Sequence, residues 1–381
     1  MPSVLVLSHR STLNPRIELF AEALTTAGHD VEAICWDRSG SANDTRYVVP
    51  SETVSVPGLS LSRLNVLILP LLYLRFLTAI LDREVDVLFC VHISLLPVAV
   101  VASKLTGTPL VYEVVEPFRE GYGERSGPFA NAFTTLLERI EKVCLHGVDG
   151  LTLIDTDEDV LVERYAGYTD NTAVVYNVPK VKPLPERARQ QSQTIVYAGL
   201  VNERKGVGTL LEAFVQVNET HPDAKLLIIG DSADDTLAKL RRQAREWGVE
   251  DSVEFVGRVD HDAVHGHLCR ADVGVAPYHP VPMFVVSRWN AQKIPDYMNA
   301  GLPVVGPAFG GFEQMLTETG CGLTVDTTEP RAIADALRTL LDDPERAKSL
   351  GENGRKAVER TYNWNTEQTK VVRVVERALS E

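Results

Sequence analysis

Positive charge is scarce in this chain. Its 381 residues carry 38 Lys and Arg against 52 Asp and Glu, a formal net charge of −14. That excludes a broad cationic face for nucleic acid, so any phosphate site must be a local basic pocket. Lysine is the scarcer cation, with 11 against 27 arginines. An acidic, lysine-poor surface of this kind tolerates a salt-rich cytoplasm, where screening weakens self-repulsion. Cysteine is sparse too. Cys35, Cys90, Cys144, Cys269 and Cys321 are odd in number and contain no C-x-x-C pair. They read as reduced core thiols of an intracellular protein rather than a disulfide framework. Long apolar runs are missing as well. The most apolar stretch, Leu64 to Leu74, is about half the ~20 residues of a membrane span and contains Pro70. It reads as an amphipathic helix, buried or touching a membrane surface. Met1 to Ser8 lacks the basic start and apolar core of a secretory signal. No G-K-[ST] P-loop and no G-x-S-x-G elbow occurs.

What is present is strand-helix alternation, twice over. Val4-Leu5-Val6-Leu7, Val31 to Cys35, Val85 to Cys90, Leu110 to Val115, Gly150 to Ile154 and Ala173 to Tyr176 are short apolar runs, as buried parallel strands are. Helical periodicity separates them, as in Pro15 to Ala27, closed by Gly28. A proline-rich, polar stretch around Pro179, Pro183 and Pro185 interrupts the pattern and reads as a linker. The alternation restarts at Thr194 to Ala198 and runs to a last helix from Trp364 to Leu379. The expected organisation is two Rossmann-like, doubly wound parallel-sheet domains. They divide as residues 1–178, a linker over 179–193, a second domain over 194–361 and a returning helix over 362–381.

In such sheets ligands bind beyond the C-terminal ends of strands. Gly199-Leu200-Val201-Asn202-Glu203-Arg204-Lys205-Gly206 follows the first strand of the second half. Two glycines frame a turn that presents Arg204 and Lys205 before a helix, where they would neutralise a diphosphate. Read blandly, they are a solvated loop pair. Lys293 opens a second helix, whose N-terminus also favours an anion. Asp296, one turn on, would accept hydrogen bonds from ribose hydroxyls. The bland alternative is an i, i+3 charge pair. In the first half, His9 and His92 each follow a strand and point to the same end of the sheet.

These segments resemble a known family. Gly199…Lys205-Gly206 with Leu210-Leu211-Glu212-Ala213-Phe214, Leu226 to Asp231, Val253 to Val259, Ala271 to Pro277, Lys293 to Val305 and Gly310-Gly311 are similar, in order and spacing, to the donor domain of the retaining glycosyltransferases of family 4. Asn14-Pro15-Arg16 and the following helix resemble that family's opening loop, and the Trp364 helix its terminal helix. The resemblance implies a GT-B fold, two domains facing a cleft, and transfer of a sugar from a nucleoside diphosphate sugar to a glycan or lipid-linked acceptor. It further implies retention and neither metal nor other cofactor. Lys205 would hold the diphosphate, Lys293 would join it, Asp296 would bind ribose, Gly257 and Arg258 would meet the base, and Gly199 would shape the turn. Asn14, Arg16, His9 and His92 would lie on the acceptor side. The expected location is the cytoplasm, with peripheral contact at the inner face of the membrane through Leu59 to Ile80.

Three positions depart from the family pattern. Arg288 stands where the first acid of a paired motif is usual. Val115 stands where many members have a histidine, with Glu116 next to it to take a polar role. Leu200 replaces a frequent arginine, for which Arg204 would compensate. Two other functions share the fold: a sugar-nucleotide 2-epimerase, which turns over without acceptor, and a non-catalytic subunit of a transferase complex. Asp155-Thr156-Asp157 and Asp260-His261-Asp262 match a D-x-D metal motif, but each precedes a helix, where Asp reads as an N-cap. His261, His265 and His267 read as a solvated helix face, since no partner cluster completes a zinc site.

Overall fold

The computed structural model describes residues 1–38, 49–56, 68–115, 128–154, 164–165, 167–185, 192–285 and 292–380, with backbone alone for 128–132 and 261–262. The chain divides into two compact units, Met1–Tyr176 with Asn365–Glu381, and Asn177–Trp364.

The first unit is built on a seven-stranded sheet. Its strands are β1 (Ser3–Ser8), β2 (Asp30–Asp37), β3 (Ser51–Ser55), β4 (Val87–Val91), β5 (Leu110–Val114), β6 (Gly150–Ile154) and β7 (Thr172–Val175). They lie in the order β3-β2-β1-β4-β5-β6-β7, and every pairing is parallel. The helices are α1 (Pro15–Thr26), α2 (Leu69–Leu81), α3 (Leu96–Thr106) and α4 (Pro128–Leu145). Strand order runs outward from β1 in both directions. Right-handed crossovers therefore put α1 on one face and α2, α3 and α4 side by side on the other. β4, β5 and β6 are buried along their whole length, which is why they read as unbroken apolar runs. Leu5, Leu7, Leu88, Leu110 and Leu151 are inaccessible at the centre of this core, each worth roughly 1.5–3 kcal/mol relative to exposure.

The second unit repeats the plan with six strands. They are β8 (Thr194–Ala198), β9 (Lys225–Ile229), β10 (Val253–Gly257), β11 (Val273–Val275), β12 (Val304–Pro307) and β13 (Gly322–Val325). Their order is β10-β9-β8-β11-β12-β13, again all parallel. The helices are α5 (Val207–Thr220), α6 (Thr236–Glu246), α7 (His261–Leu268), α8 (Pro282–Val285), α9 (Lys293–Asn299), α10 (Gly310–Thr319), α11 (Pro330–Asp342) and α12 (Pro344–Arg360). The last helix, α13 (Trp364–Ser380), belongs almost wholly to the first unit. There Asn171 Nδ2 donates to the Val374 carbonyl at 2.8 Å, and Glu367 accepts from the Tyr176 N–H at 2.7 Å.

The proline-rich stretch after Tyr176 is held by the second unit. Asn299 accepts from the Lys182 N–H at 3.2 Å and donates to the Lys180 carbonyl at 2.8 Å. Arg355 donates to the Lys182 carbonyl at 2.8 Å.

Candidate functional site

In each sheet the chain reverses its direction of travel at one point, between β1 and β4 in the first unit and between β8 and β11 in the second. The loops leaving those strands diverge and expose a crevice, the usual ligand position in open α/β sheets. Most of the residues singled out from sequence fall at these two places.

In the second unit, β8 ends in Gly199 and β11 runs into Ala276-Pro277-Tyr278. Gly199 has φ +140° and Gly230, after β9, φ +136°. The Gly199 N–H donates to the Ile229 carbonyl at 2.8 Å, and the Gly230 N–H to the Gly257 carbonyl at 2.8 Å. Three adjacent strands thus end in a rim of bare backbone. The turn then tightens at Glu203–Lys205, with Asn202 accepting from the Lys205 N–H at 3.0 Å. Gly206 follows at φ +68°. A Cβ there would lie 1.7 Å from the Pro277 carbonyl oxygen, so only glycine lets the turn close on the loop after β11.

That closure brings Lys205 and Lys293 together. The Lys205 ammonium lies 4.5 Å from the Tyr278 ring centre and 4.3 Å from that of Phe284. The Lys293 ammonium lies 4.4 Å from the same Tyr278 ring and 4.5 Å from Tyr197, and donates to the Tyr197 hydroxyl at 3.3 Å. Tyr197 in turn donates to the Leu200 carbonyl at 2.6 Å. Aromatic faces attract cations, yet they solvate a charge less well than water does. Burial, and then the positive charge of Arg204, lowers Lys205 to about 8. Burial and the charge of Lys205 push Lys293 well below the ordinary lysine range, against a smaller pull from Asp296. Two under-solvated amines sharing one ring suit a ligand that brings negative charge.

Asp296, on α9, is half-buried. Desolvation raises its carboxyl to about 7, although Lys182 and Lys293 both favour the ionised form. Gly199 leaves room for this arrangement, since a Cβ there would sit 3.2 Å from the Lys293 ammonium. Arg204 is exposed at the lip, where its carbonyl accepts from the His279 N–H at 3.1 Å. Gly257 (φ +80°) and Arg258 lie at the end of β10, with Arg258 exposed. The structure therefore brings together Gly199, Lys205, Lys293 and Asp296, with Arg204 at the edge. Arg288 and Glu116 lie outside the described residues.

In the first unit His9 and His92 stack at the switch point, ring centres 4.1 Å apart and planes 23° from parallel. Burial lowers His9 to about 2 and His92 to about 4, helped by the nearby charges of Arg10 and Arg38, so both rings are neutral at physiological pH. His92 has φ +78°, uncommon for a residue with a Cβ and of a kind concentrated at functional positions. Ser94 N–H donates to its Nδ1 at 3.2 Å.

Asn14 and Arg16, expected on the acceptor side, have structural occupations. Asn14 caps α1, accepting from the Ile17 N–H at 2.9 Å. Arg16 is 5% exposed and Glu113 0%. Arg16 Nε donates to Glu113 at 2.7 Å and Nη2 to the Val175 carbonyl at 2.9 Å, while Thr152 donates to the other Glu113 oxygen. Asp260 stands at the N-cap position of α7, as expected, although its side chain makes no capping bond. The second D-x-D stretch, 155–157, lies outside the described residues. His265 bonds the Pro183 carbonyl at 3.1 Å and contacts Cys269 at 3.5 Å.

Sequence reasoning missed the aromatic box of Tyr197, Tyr278 and Phe284. Its one signal was three large rings within a residue or two of strand ends or flanking helices, each indistinguishable from core.

Residues 11–178 match the Glycosyl transferase 4-like domain family and residues 184–357 the Glycosyl transferases group 1 family, which between them span nearly the whole chain. Over 256 residues the chain is 26% identical to a glycogen synthase of Mycobacterium tuberculosis, covering 66% of this chain and 60% of that one. Over 173 residues it is 31% identical to a GDP-mannose-dependent alpha-(1-6)-phosphatidylinositol monomannoside mannosyltransferase of the same organism, covering 45% and 44%. The matches thus span about half of these relatives' own length. The solved structure of sucrose-phosphate synthase from Thermosynechococcus elongatus superposes with a TM-score of 0.76 at 20% identity, covering 100% of both chains. At that identity the likeness is one of fold.

Proposed function

The chain belongs to the group 1, family 4 glycosyltransferases of GT-B fold, and we propose that it moves a sugar from a nucleoside diphosphate sugar to a hydroxyl of a glycan or lipid-linked acceptor. The observation that carries this reading is the pair of ammonium groups, Lys205 and Lys293, caged against Tyr278 beside the bare backbone of Gly199. Breaking the glycosidic bond of a nucleoside diphosphate sugar adds one negative charge to a diphosphate that already carries two. Preorganised cations at that position lower the barrier more than they would in water. Their depressed proton affinity is the mark of a site whose counter-charge arrives with the ligand.

Asp296 stands one turn along α9 from Lys293, and in this reading its carboxylate accepts from ribose hydroxyls when ionised. With two ammoniums and the α9 N-terminus at the diphosphate, the proposal includes no divalent metal. It includes retention by same-face attack: the bond from the anomeric carbon to the diphosphate breaks, the acceptor oxygen bonds that carbon, the departing phosphate oxygen takes the hydroxyl proton, and no side chain forms a covalent intermediate. His9 and His92, neutral and stacked in the first unit, are assigned to the acceptor side.

The test is a thermal-shift panel of UDP, GDP, ADP and their common sugars, with EDTA or with Mg²⁺. A ligand at 100 times its dissociation constant adds about 2.7 kcal/mol and raises the melting midpoint by a few degrees. One nucleotide family stabilising the protein equally in EDTA and Mg²⁺ supports the proposal. No shift with any diphosphate would remove it.

A further inference from the structure

The loop that follows β11 is built stiff. Ala276-Pro277-Tyr278-His279-Pro280-Val281 contains two prolines, each with φ fixed by its ring. Around each of them the chain closes a three-residue turn. The Tyr278 N–H donates to the Ala276 carbonyl at 2.9 Å, and the Val281 N–H to the His279 carbonyl at 2.8 Å. From behind, the buried Thr327 hydroxyl donates to the Tyr278 carbonyl. The segment that carries Lys205 is slighter. It is a single turn of 3-10 helix, Glu203–Lys205, running into Gly206 at φ +68°.

Three consecutive residues of the stiff loop grip the slighter one. The Pro277 carbonyl oxygen closes on Gly206, where an added Cβ would lie 1.7 Å from it. The Tyr278 ring holds the Lys205 ammonium. His279 takes hold twice. Its N–H donates to the Arg204 carbonyl at 3.1 Å, and its Nε2 is hydrogen-bonded to the Thr209 hydroxyl, on the first turn of α5, at 2.9 Å. These two bonds straddle Gly206, whose backbone is otherwise free to swing. The ring also packs over that glycine, with Cδ2 3.1 Å from where a Cβ would stand.

We propose that His279 is a positioning residue for Lys205. By tying Arg204 and Thr209 to one rigid loop, it fixes where the Lys205 ammonium points and so where a diphosphate is received. The inference rests on the donor-site reading and adds a residue that acts through the turn rather than on the ligand. Placement matters here, because a misplacement of about 1 Å at a reacting centre can cost roughly a hundredfold in rate.

The test separates a grip on Lys205 from a general contribution to the fold. The ε-carbons of lysine are labelled with carbon-13 in the full, unliganded chain. The Lys205 signal is assigned with Lys205→Met and followed by NMR through the alkaline range. In the wild type it should titrate at about 8. His279→Ala keeps the backbone bond to Arg204 but frees Thr209. The ammonium should then swing toward water, and its midpoint should rise by about one pH unit toward the ordinary lysine value. Arg204, Lys293 and Asp296, the other charged groups of the site, are unchanged. Thr209→Val should act alike, and the double variant should add little, since both remove one bond. His279→Gln, whose amide reaches the same hydroxyl, should restore the wild-type midpoint. Calorimetric binding of UDP or GDP should weaken about tenfold in His279→Ala, and hardly at all where Lys205→Met is already present. A His279→Ala protein that keeps the wild-type Lys205 midpoint overturns the proposal. So does an equal loss of binding in both backgrounds, which would put the ring on the ligand or make its role one of general stability. Wild type that binds no nucleotide counts against the donor reading alone, because the lysine titration needs no ligand and still decides the grip.

Discussion

Lys205 and Lys293 share one ring: their ammonium groups lie 4.5 and 4.4 Å from the centre of Tyr278. Like charges held this close in a poorly hydrated box destabilise the unliganded fold, and the ring offsets only part of that. Lys205→Met should therefore raise the melting temperature of the free protein, by roughly 1 kcal/mol of stability. The same substitution should weaken UDP or GDP at least a hundredfold, since about 3 kcal/mol of charge-assisted contact disappears. Calorimetric melts with and without nucleotide measure both effects. A variant that melts lower and still binds would place the diphosphate elsewhere.

The pH dependence of nucleotide binding follows from the same pair. Lys205 is lowered to about 8, and only its protonated form holds the diphosphate. Loss of the Lys205 proton should make affinity fall above pH 8, approaching tenfold per pH unit. Near and above pH 8 the ligand's charge must draw a proton onto the amine. Titration calorimetry in two buffers of different ionisation enthalpy should show net proton uptake at pH 8.5. Binding that is independent of pH from 7 to 9.5 would mean that Lys205 stays outside the contact.

Asp296 carries the opposite sign. Its carboxyl is raised to about 7, against about 3.9 in an unfolded chain. The folded form therefore binds more protons between pH 4 and 7, and the wild type loses stability as pH rises through that window. Asp296→Asn removes the penalty. Discounted for its partly exposed position, the gain should be about 1–2 kcal/mol at pH 8 and vanish near pH 4. Nucleoside binding should weaken about tenfold, because the amide replaces an acceptor for two hydroxyls. Denaturant melts at pH 4, 6 and 8 give the stability profile.

Much of this was legible in the sequence, for definite reasons. β4, β5 and β6 are buried on both faces, so Val87–Val91, Leu110–Val114 and Gly150–Ile154 stand out as apolar runs. The glycines at 199 and 206 announced a turn that a Cβ would block. Two edge strands were invisible: β3, Ser-Glu-Thr-Val-Ser, buries only Val54, and β13 is half-exposed throughout, so neither carries a periodic signal. Lys293 and Asp296 were readable as a charge pair on one helix, but not the contact of Lys293 with Tyr197, which comes from β8 almost a hundred residues earlier. Arg16 looked like a ligand contact because nothing local reveals that Glu113, from β5, closes over it.

That buried pair supplies the last prediction. Arg16 and Glu113 are 5% and 0% exposed, and Arg16 Nη1 has no hydrogen-bond partner among the described residues. Removing one charge leaves the other stranded in the core. Glu113→Leu and Arg16→Met should each cost about 3–5 kcal/mol. Replacing both, Arg16→Met with Glu113→Leu, removes the desolvation of two ions together and should restore most of that loss. Thr152 loses an acceptor in the double variant, which keeps recovery short of complete. A double-mutant cycle of denaturant melts reads the coupling directly. If the two losses simply add, the guanidinium is solvated by other groups and Arg16 becomes available as a ligand contact. If they couple by 2 kcal/mol or more, Arg16 ties α1 to β5 and leaves the His9–His92 stack as the polar feature of that sheet edge open to an acceptor.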